Sequence, residues 1–269
     1  MKKQNKLQSI KALSIIVFFL MLSAAAAYAD EVVYAPNSAP FNIKFQEWSA
    51  QWWQFVLSLP VADNPLVDET GAKCAVGQRG PVWFLVGSFG GSVTRTCSIP
   101  AGESLFFPVL NLVDINVTNQ TAAELQAEIA PCLDAVTALA VEIDGQSIKN
   151  LTKKFRVTSE VFAVTVPENG FLDPGTYSPV VDDGFYVMLK PLALGPHTLH
   201  ISAARQGCPF SPDPLLFGRH VSPYCGTCDS GVIDDPHGLL GRQRRAGRRV
   251  WYEKRPTTAH ASLRSSNSG

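Results

Sequence analysis

The residues able to do chemistry in this chain are carboxylates, cysteines and histidines, and none falls in a strong catalytic pattern. Glu103, Asp114, Asp144, Asp173, Asp182 and Asp183 mostly accompany turn residues. Two such carboxylates would serve a glycosidase, and several would hold calcium. Asp182-Asp183-Gly184 is the best calcium candidate. Aspartates in turns, however, mainly bond to backbone. His197 and His200, three apart on a strand, would point to opposite faces and share no metal. No Gly-x-Ser-x-Gly elbow, His-Glu-x-x-His pair or phosphate loop is present. The sequence assigns no catalytic residue, no metal site and no cofactor beyond the calcium alternative, and an enzyme is the less favoured class.

Six cysteines carry the remaining chemistry. Cys225-Gly226-Thr227-Cys228 has thioredoxin-type spacing, but Pro223 and Pro236 flank it and no helical pattern follows to lower a thiol pKa. Cys208, Cys225 and Cys228 with His220 or His237 supply zinc-type ligands in a spacing that fits no compact finger. Cys74 and Cys97 bracket an apolar run and its turn, and are expected to pair. Closing a loop of that size contributes about 3 kcal/mol in the chain-entropy picture. Cys132 is either a buried thiol or the partner of Cys208.

An oxidising compartment makes disulfides the first reading, and the N-terminus points there. Lys2, Lys3, Lys6 and Lys11 precede the apolar run Leu13–Leu22, and Ala27-Tyr28-Ala29 is a small-x-small cleavage site. Residues 1–29 are expected to be a signal peptide. The mature chain is then secreted, periplasmic or attached to the cell envelope, with no transmembrane anchor left after cleavage. The net charge of zero disfavours nucleic acid as a partner. The sequence identifies no partner; extracellular glycan or the cell envelope is the class considered.

The elements that must position these groups follow from periodicity. Phe41, Phe45, Trp48, Trp52, Phe55 and Leu59 recur at helical spacing and Pro60 ends the run, so Phe41–Leu59 reads as an aromatic helix. Trp48 and Trp52 dock it; Trp53 lies off the stripe and is expected at the surface. The stretch Lys73–Asn111 holds two apolar strands, Val82–Val86 and Leu105–Leu110, around a Gly87, Gly90, Gly91 turn. Pro108 marks an edge or a bulge in the second. Gln78, Arg79 and Arg95 are its polar residues with no evident structural task. Together with Trp53 they are the candidate ligand contacts.

Thr121 and Glu124 form a capping box, and Pro131 divides the segment that follows into two short helices. From Leu139 the period becomes two. Leu139-Val141-Ile143, Phe155-Val157, Phe162-Val164-Val166, Phe185-Val187-Leu189 and Thr198–Ala203 are strands separated by turns such as Asp144-Gly145. The expected fold is mainly β: an antiparallel β-sandwich over 30–206, with the N-terminal aromatic helix and a short helical insertion.

Four segments carry a resemblance: Gly77-Gln78 with Val82–Gly87, Ile99–Gly102 with Leu105–Pro108, Asp183–Leu189, and Pro196–His200. Over roughly Phe41–Ala204 the chain resembles a family of exported bacterial proteins of unknown function. The resemblance implies a bacterial, secreted origin and brings no activity or site residue. Such proteins continue past the last strand with one more alternating strand and then stop. Here 207–269 turns rich in Arg, Gly, Pro, Ser and His, including the Arg242–Arg249 cluster, and loses periodicity. That tail is expected to be disordered or frameshifted, leaving one sheet edge bare. The expected role is a non-catalytic secreted or envelope-associated protein that binds a glycan or other ligand. A carboxylate-based hydrolase and a purely structural surface protein are the alternatives.

Overall fold

The computed structural model describes residues 31–89, 92–206, 220–221 and 259–266, the last two stretches as backbone strands. The signal segment, Cys225–Cys228 and the Arg242–Arg249 cluster lie outside the described residues. The elements in chain order are α1 (Phe45–Leu57), β1 (Val82–Phe84), β2 (Thr94–Pro100), β3 (Ser104–Ile115), α2 (Ala122–Asp134), β4 (Val136–Ile143), β5 (Gln146–Ser147), α3 (Leu151–Lys154), β6 (Arg156–Thr158), β7 (Phe162–Val166), β8 (Gly175–Leu189), β9 (Pro196–Arg205), β10 (His220–Val221) and β11 (Ala259–Ser266). Among the described residues no helix is long and apolar enough to cross a membrane.

The strands form two sheets. In the first, β3 and β8 are the antiparallel centre. β1 runs parallel along β3, β10 pairs with the far end of β3, and β6 and β7 share the outer side of β8. The second runs β2-β11-β9-β4-β5, with β11 parallel to β2 and antiparallel to β9. The fold is mainly β, as expected, but the sheets are mixed rather than wholly antiparallel. Backbone pairing of Ala259–Ser266 occupies the place beside β9 where the sequence led us to expect a bare edge.

β3 and β8 hold the centre because both faces of their sheet are covered. Every residue of β3 is buried, and so is Val180–Leu189 of β8. One face carries Phe106, Val113, Val180, Tyr186 and Met188, packed on α1. The other carries Leu105, Phe107, Val181, Phe185 and Val187, in one core with α2 and with Val141, Leu199 and Ile201 of the second sheet. Pro108 lies inside this central strand, not at an edge, and the register shifts between Pro108 and Leu110. The bulge alternative is the one realised.

Sequence pattern and structure agree on most local features. Asp144 and Gly145 both take positive φ, 51° and 76°, as a two-residue hairpin turn requires. The Thr121–Glu124 capping box forms in both directions. α1 starts at Phe45 instead of Phe41, because Phe41 and Asn42 have φ near 60° and form a separate tight turn. α2 is one helix with Pro131 inside it, not two. The amide missing at Pro131 would have bonded the carbonyl of Ala127, an exposed residue whose carbonyl water can solvate. The stripe Leu125, Ile129, Cys132 and Leu133 is fully buried and keeps the helix continuous. β2 was not foreseen as a strand, because its inward set is Arg95, Cys97 and Ile99 rather than three apolar residues.

Gly184 shows how tightly β3 and β8 meet. It sits opposite Asn111, and a Cβ there would stand 2.5 Å from the Asn111 Cβ. Gly184→Ala is expected to push the central strands apart and cost about 1–3 kcal/mol. Urea denaturation checks this, the expected result being a lowered midpoint at an unchanged slope.

Candidate functional site

A strand buried on both faces is normally a continuous apolar run. β8 breaks that rule with Asp182 and Asp183 in succession, both almost wholly buried. Successive strand residues face opposite sides, so each face of the central sheet receives one carboxylate. Each must find donors there or carry a desolvation cost of several kcal/mol.

Asp182 faces α1. Its Oδ1 accepts from the Trp53 indole at 2.7 Å and from the Tyr186 hydroxyl at 2.7 Å. The Tyr186 oxygen in turn accepts from Asn111 Nδ2 at 2.8 Å, and the Tyr186 ring stacks on Phe106 with centroids 5.3 Å apart. The Asp182 backbone is gripped both ways by Ser159, whose hydroxyl accepts from its amide at 2.8 Å and whose amide donates to its carbonyl at 2.9 Å. Burial pushes the Asp182 carboxyl up to about 7, against the lowering effect of bonds from Tyr186, Trp53 and Ser49. Oδ2 is buried and has no hydrogen-bond partner.

Asp183 faces α2. Arg156 grips it with two bonds, Nε to Oδ1 at 3.0 Å and Nη2 to Oδ2 at 2.7 Å. The same guanidinium reaches the C-terminal end of α2, donating to Asp134 and to the Ala130 carbonyl at 3.3 Å. One arginine thereby joins β6, β8 and α2, and a cation sits where the helix dipole favours it. Burial raises the Asp183 pKa in spite of Arg156. Asp114 lies on this same face, since it registers with Val181, two residues from Asp183. Burial lifts it to about 7, and the Glu128 charge adds to the rise.

The sequence-derived candidates do not converge. Asp182 and Asp183 cannot chelate one ion, because the sheet separates their carboxylates. Among the described residues no group of three or more His, Cys, Asp or Glu is placed to hold a metal. Trp53 is completely buried, contrary to the expected exposure, because the buried arc of α1 is wide enough to take Trp52 and Trp53 together.

Gln78 has a structural task after all. Its amide acts as a surrogate strand partner for Phe84, accepting from the Phe84 amide at 2.9 Å and donating to its carbonyl at 2.7 Å. Arg95 is buried and donates to the carbonyls of Asp68, Val86 and Gly87, fastening two loops. Of the four candidate ligand contacts only Arg79 is exposed. A cavity of about 50 Å³ lies between the sheets, lined by Leu85, Phe107, Leu199 and Ile201 beside Arg95. It is space on the scale of a few waters. Cys74 and Cys97 form the expected disulfide, with Cα atoms 6.0 Å apart.

His197 is a fastening as well. Nδ1 meets Asp144 at 2.7 Å and Nε2 meets the Ala193 carbonyl at 2.8 Å, while Asp144 also accepts from the Thr198 amide at 2.9 Å. A carbonyl and a carboxylate both call for N–H donors, so the protonated ring fits best. Burial opposes that charge, but the bonds to Asp144 and Ala193 prevail and the His197 pKa is raised.

Asn111, Tyr186, Ser159, Arg156 and Asp134 escaped the sequence reading. The signal that could have found them is the aspartate pair inside an apolar run, which demands buried donors and was read as a turn. Comparison with protein-family models, curated proteins and solved structures finds no match for this chain.

Asp182 and Asp114 keep their protons to about pH 7 when folded but only to about 4 when unfolded. The native state then binds more protons between those limits, so stability falls as pH rises from about 4 to about 7. His197, also raised, loses its contribution as pH rises through its folded value. Thermal denaturation is expected to show a more stable protein at pH 5 than at pH 8. Asp182→Asn should raise stability at pH 8 by about 1–4 kcal/mol and flatten the profile. A profile that climbs from pH 5 to pH 8 would contradict this. Arg156→Ala leaves Asp183 buried without its main partner and is expected to cost on the order of 2–3 kcal/mol, discounted because Arg156 is one-third exposed.

Proposed function

We propose that this chain is an exported, non-catalytic protein built as a β-sandwich, which works outside the cytoplasm by binding through its surface. The observation that carries this reading is the commitment of its acid–base groups to architecture. Asp182 is held by Trp53 and Tyr186, Asp183 by Arg156, and His197 by Asp144. None of them stands at an open cleft. The basic, apolar and small-residue succession over 1–29 supports export, and the Cys74–Cys97 bond suits an oxidising compartment. Glycan or envelope polymer is the partner class. With Trp53 inside, binding falls to the exposed loop around Arg79.

One observation favours a hydrolase instead. Asp114 and Asp183 share a face, and both have raised pKa values, as paired catalytic carboxylates do. Against it, Asp114 is 2% exposed and Asp183 1%. A glycan and cell-wall binding screen run beside a hydrolysis panel separates the readings. Binding without turnover, weakened at least several-fold by Arg79→Ala, is the expected result. Turnover abolished by Asp114→Asn in a variant that still folds would overturn the proposal. Neither binding nor turnover would leave the purely structural role.

A further inference from the structure

Two arginines are buried among the described residues, Arg95 and Arg205. Arg95 donates to the carbonyls of Asp68, Val86 and Gly87. Arg205 is 8% exposed and has no such set. Its Nε and Nη1 are buried without a hydrogen-bond partner. A guanidinium takes a carboxylate or phosphate along either of two edges, Nε with Nη2 or Nη1 with Nη2. One nitrogen of each edge is therefore empty at Arg205. Arg156 shows the first edge in use, with Nε and Nη2 on the Asp183 carboxylate.

Placement explains why the fold supplies no acceptor. The buried positions of β9 are His197, Leu199, Ile201 and Arg205, all on one face of the strand. Leu199 and Ile201 belong to the core between the two sheets, and Ala203 packs against it. Arg205 enters that apolar layer from the last residue of the strand, opposite Val136 of β4. A backbone acceptor at this rim, the Ala135 carbonyl, already takes the Gln206 amide at 2.9 Å. Burial lowers the Arg205 pKa, and no carboxylate counters it. An arginine nevertheless stays charged at any working pH, so the missing partner is negative. The C-terminal end of α2 favours a cation, but by much less than burying an unpaired charge costs.

We propose that the Arg205 guanidinium anchors a binding site for a small free oxyanion, phosphate or carboxylate, at the end of β9. Burial sets the size: Nε and Nη1 lie below the surface, within reach of a small anion and not of a bulky polymer. The anion neutralises a buried charge, so it stabilises the folded chain by mass action. The site does not involve the Arg79 loop and holds whether or not that loop binds a ligand.

The test uses the full-length protein in Tris–chloride of fixed ionic strength, with inorganic phosphate or acetate replacing chloride at millimolar concentration. One of the two is expected to raise Tm by about 2–4 °C, growing with the logarithm of its concentration. The anion that acts at the lower concentration tells a phosphoryl ligand from a carboxylate. Arg205→Met keeps the apolar stem and removes the charge. It should abolish the rise and, in chloride alone, melt at or above the wild-type temperature. Arg205→Lys keeps the charge without the fork and should need about tenfold more anion. Equilibrium dialysis of the active anion, radiolabelled, against the wild type requires no variant and should find one bound per chain. An equal rise in Arg205→Met would mean general salt stabilisation and would overturn the proposal. So would a wild type that responds to neither anion, or an Arg205→Met chain that melts below it in chloride, since Arg205 would then already have its partner.

Discussion

A carboxylate inside a sheet covered on both faces must be met by donors, and β8 carries two such groups in succession. Because Asp182 and Asp183 face opposite sides, the demand falls on both layers at once. On one side it is met by Trp53 from α1 and by Tyr186, itself braced by Asn111 and stacked on Phe106. On the other it is met by Arg156, which also holds the end of α2. Apolar burial supplies most of the driving force for packing these layers, but it is not directional. The paired aspartates set direction: α1 must present Trp53 at that position along the sheet, and α2 must end where Arg156 can reach it. The wide aromatic face of α1 and the close Asn111–Gly184 approach both follow from bringing those donors to β8.

The same economy recurs around the stretch Lys73–Asn111. Cys74–Cys97 ties the loop before β1 to β2, Gln78 pairs with the backbone of Phe84, and Arg95 caps carbonyls on two loops. Asp68 belongs to this set. Its carboxylate accepts from the amides of Thr70 and Lys73, and although burial works against the charge, those bonds hold its pKa down to about 2. Side chains that looked available for a ligand are replacing backbone partners that an irregular connection cannot supply.

Much of this fold was legible in the sequence because its signals are local. The helix-spaced aromatics, the Thr121–Glu124 box, the Asp144-Gly145 turn and the alternation from Leu139 each require only a few neighbouring residues. The losses came where a distant partner decides the outcome. Trp53 looked peripheral because its position is judged by helical angle, whereas a carboxylate 129 residues away draws it inside. Asp182 and Asp183 looked like turn residues because aspartate beside glycine usually is one, whereas here the glycine relieves a steric clash with Asn111. Pro131 looked like a helix boundary because its local cost is real, whereas the buried stripe on either side offsets it. Gln78 and Arg95 had no visible task because the carbonyls they serve are defined only by the fold.

Asp182 and its donors Trp53 and Tyr186 are sealed from solvent. The most direct measurement is the hydrogen-exchange rate of the Trp53 indole N–H, followed by NMR in the native protein. Exchange is expected only through global unfolding, with a protection matching that of the most protected β3 and β8 amides. Exchange of that indole proton orders of magnitude faster than those amides would mean that water reaches the carboxylate and that the donors of Asp182 are not sealed.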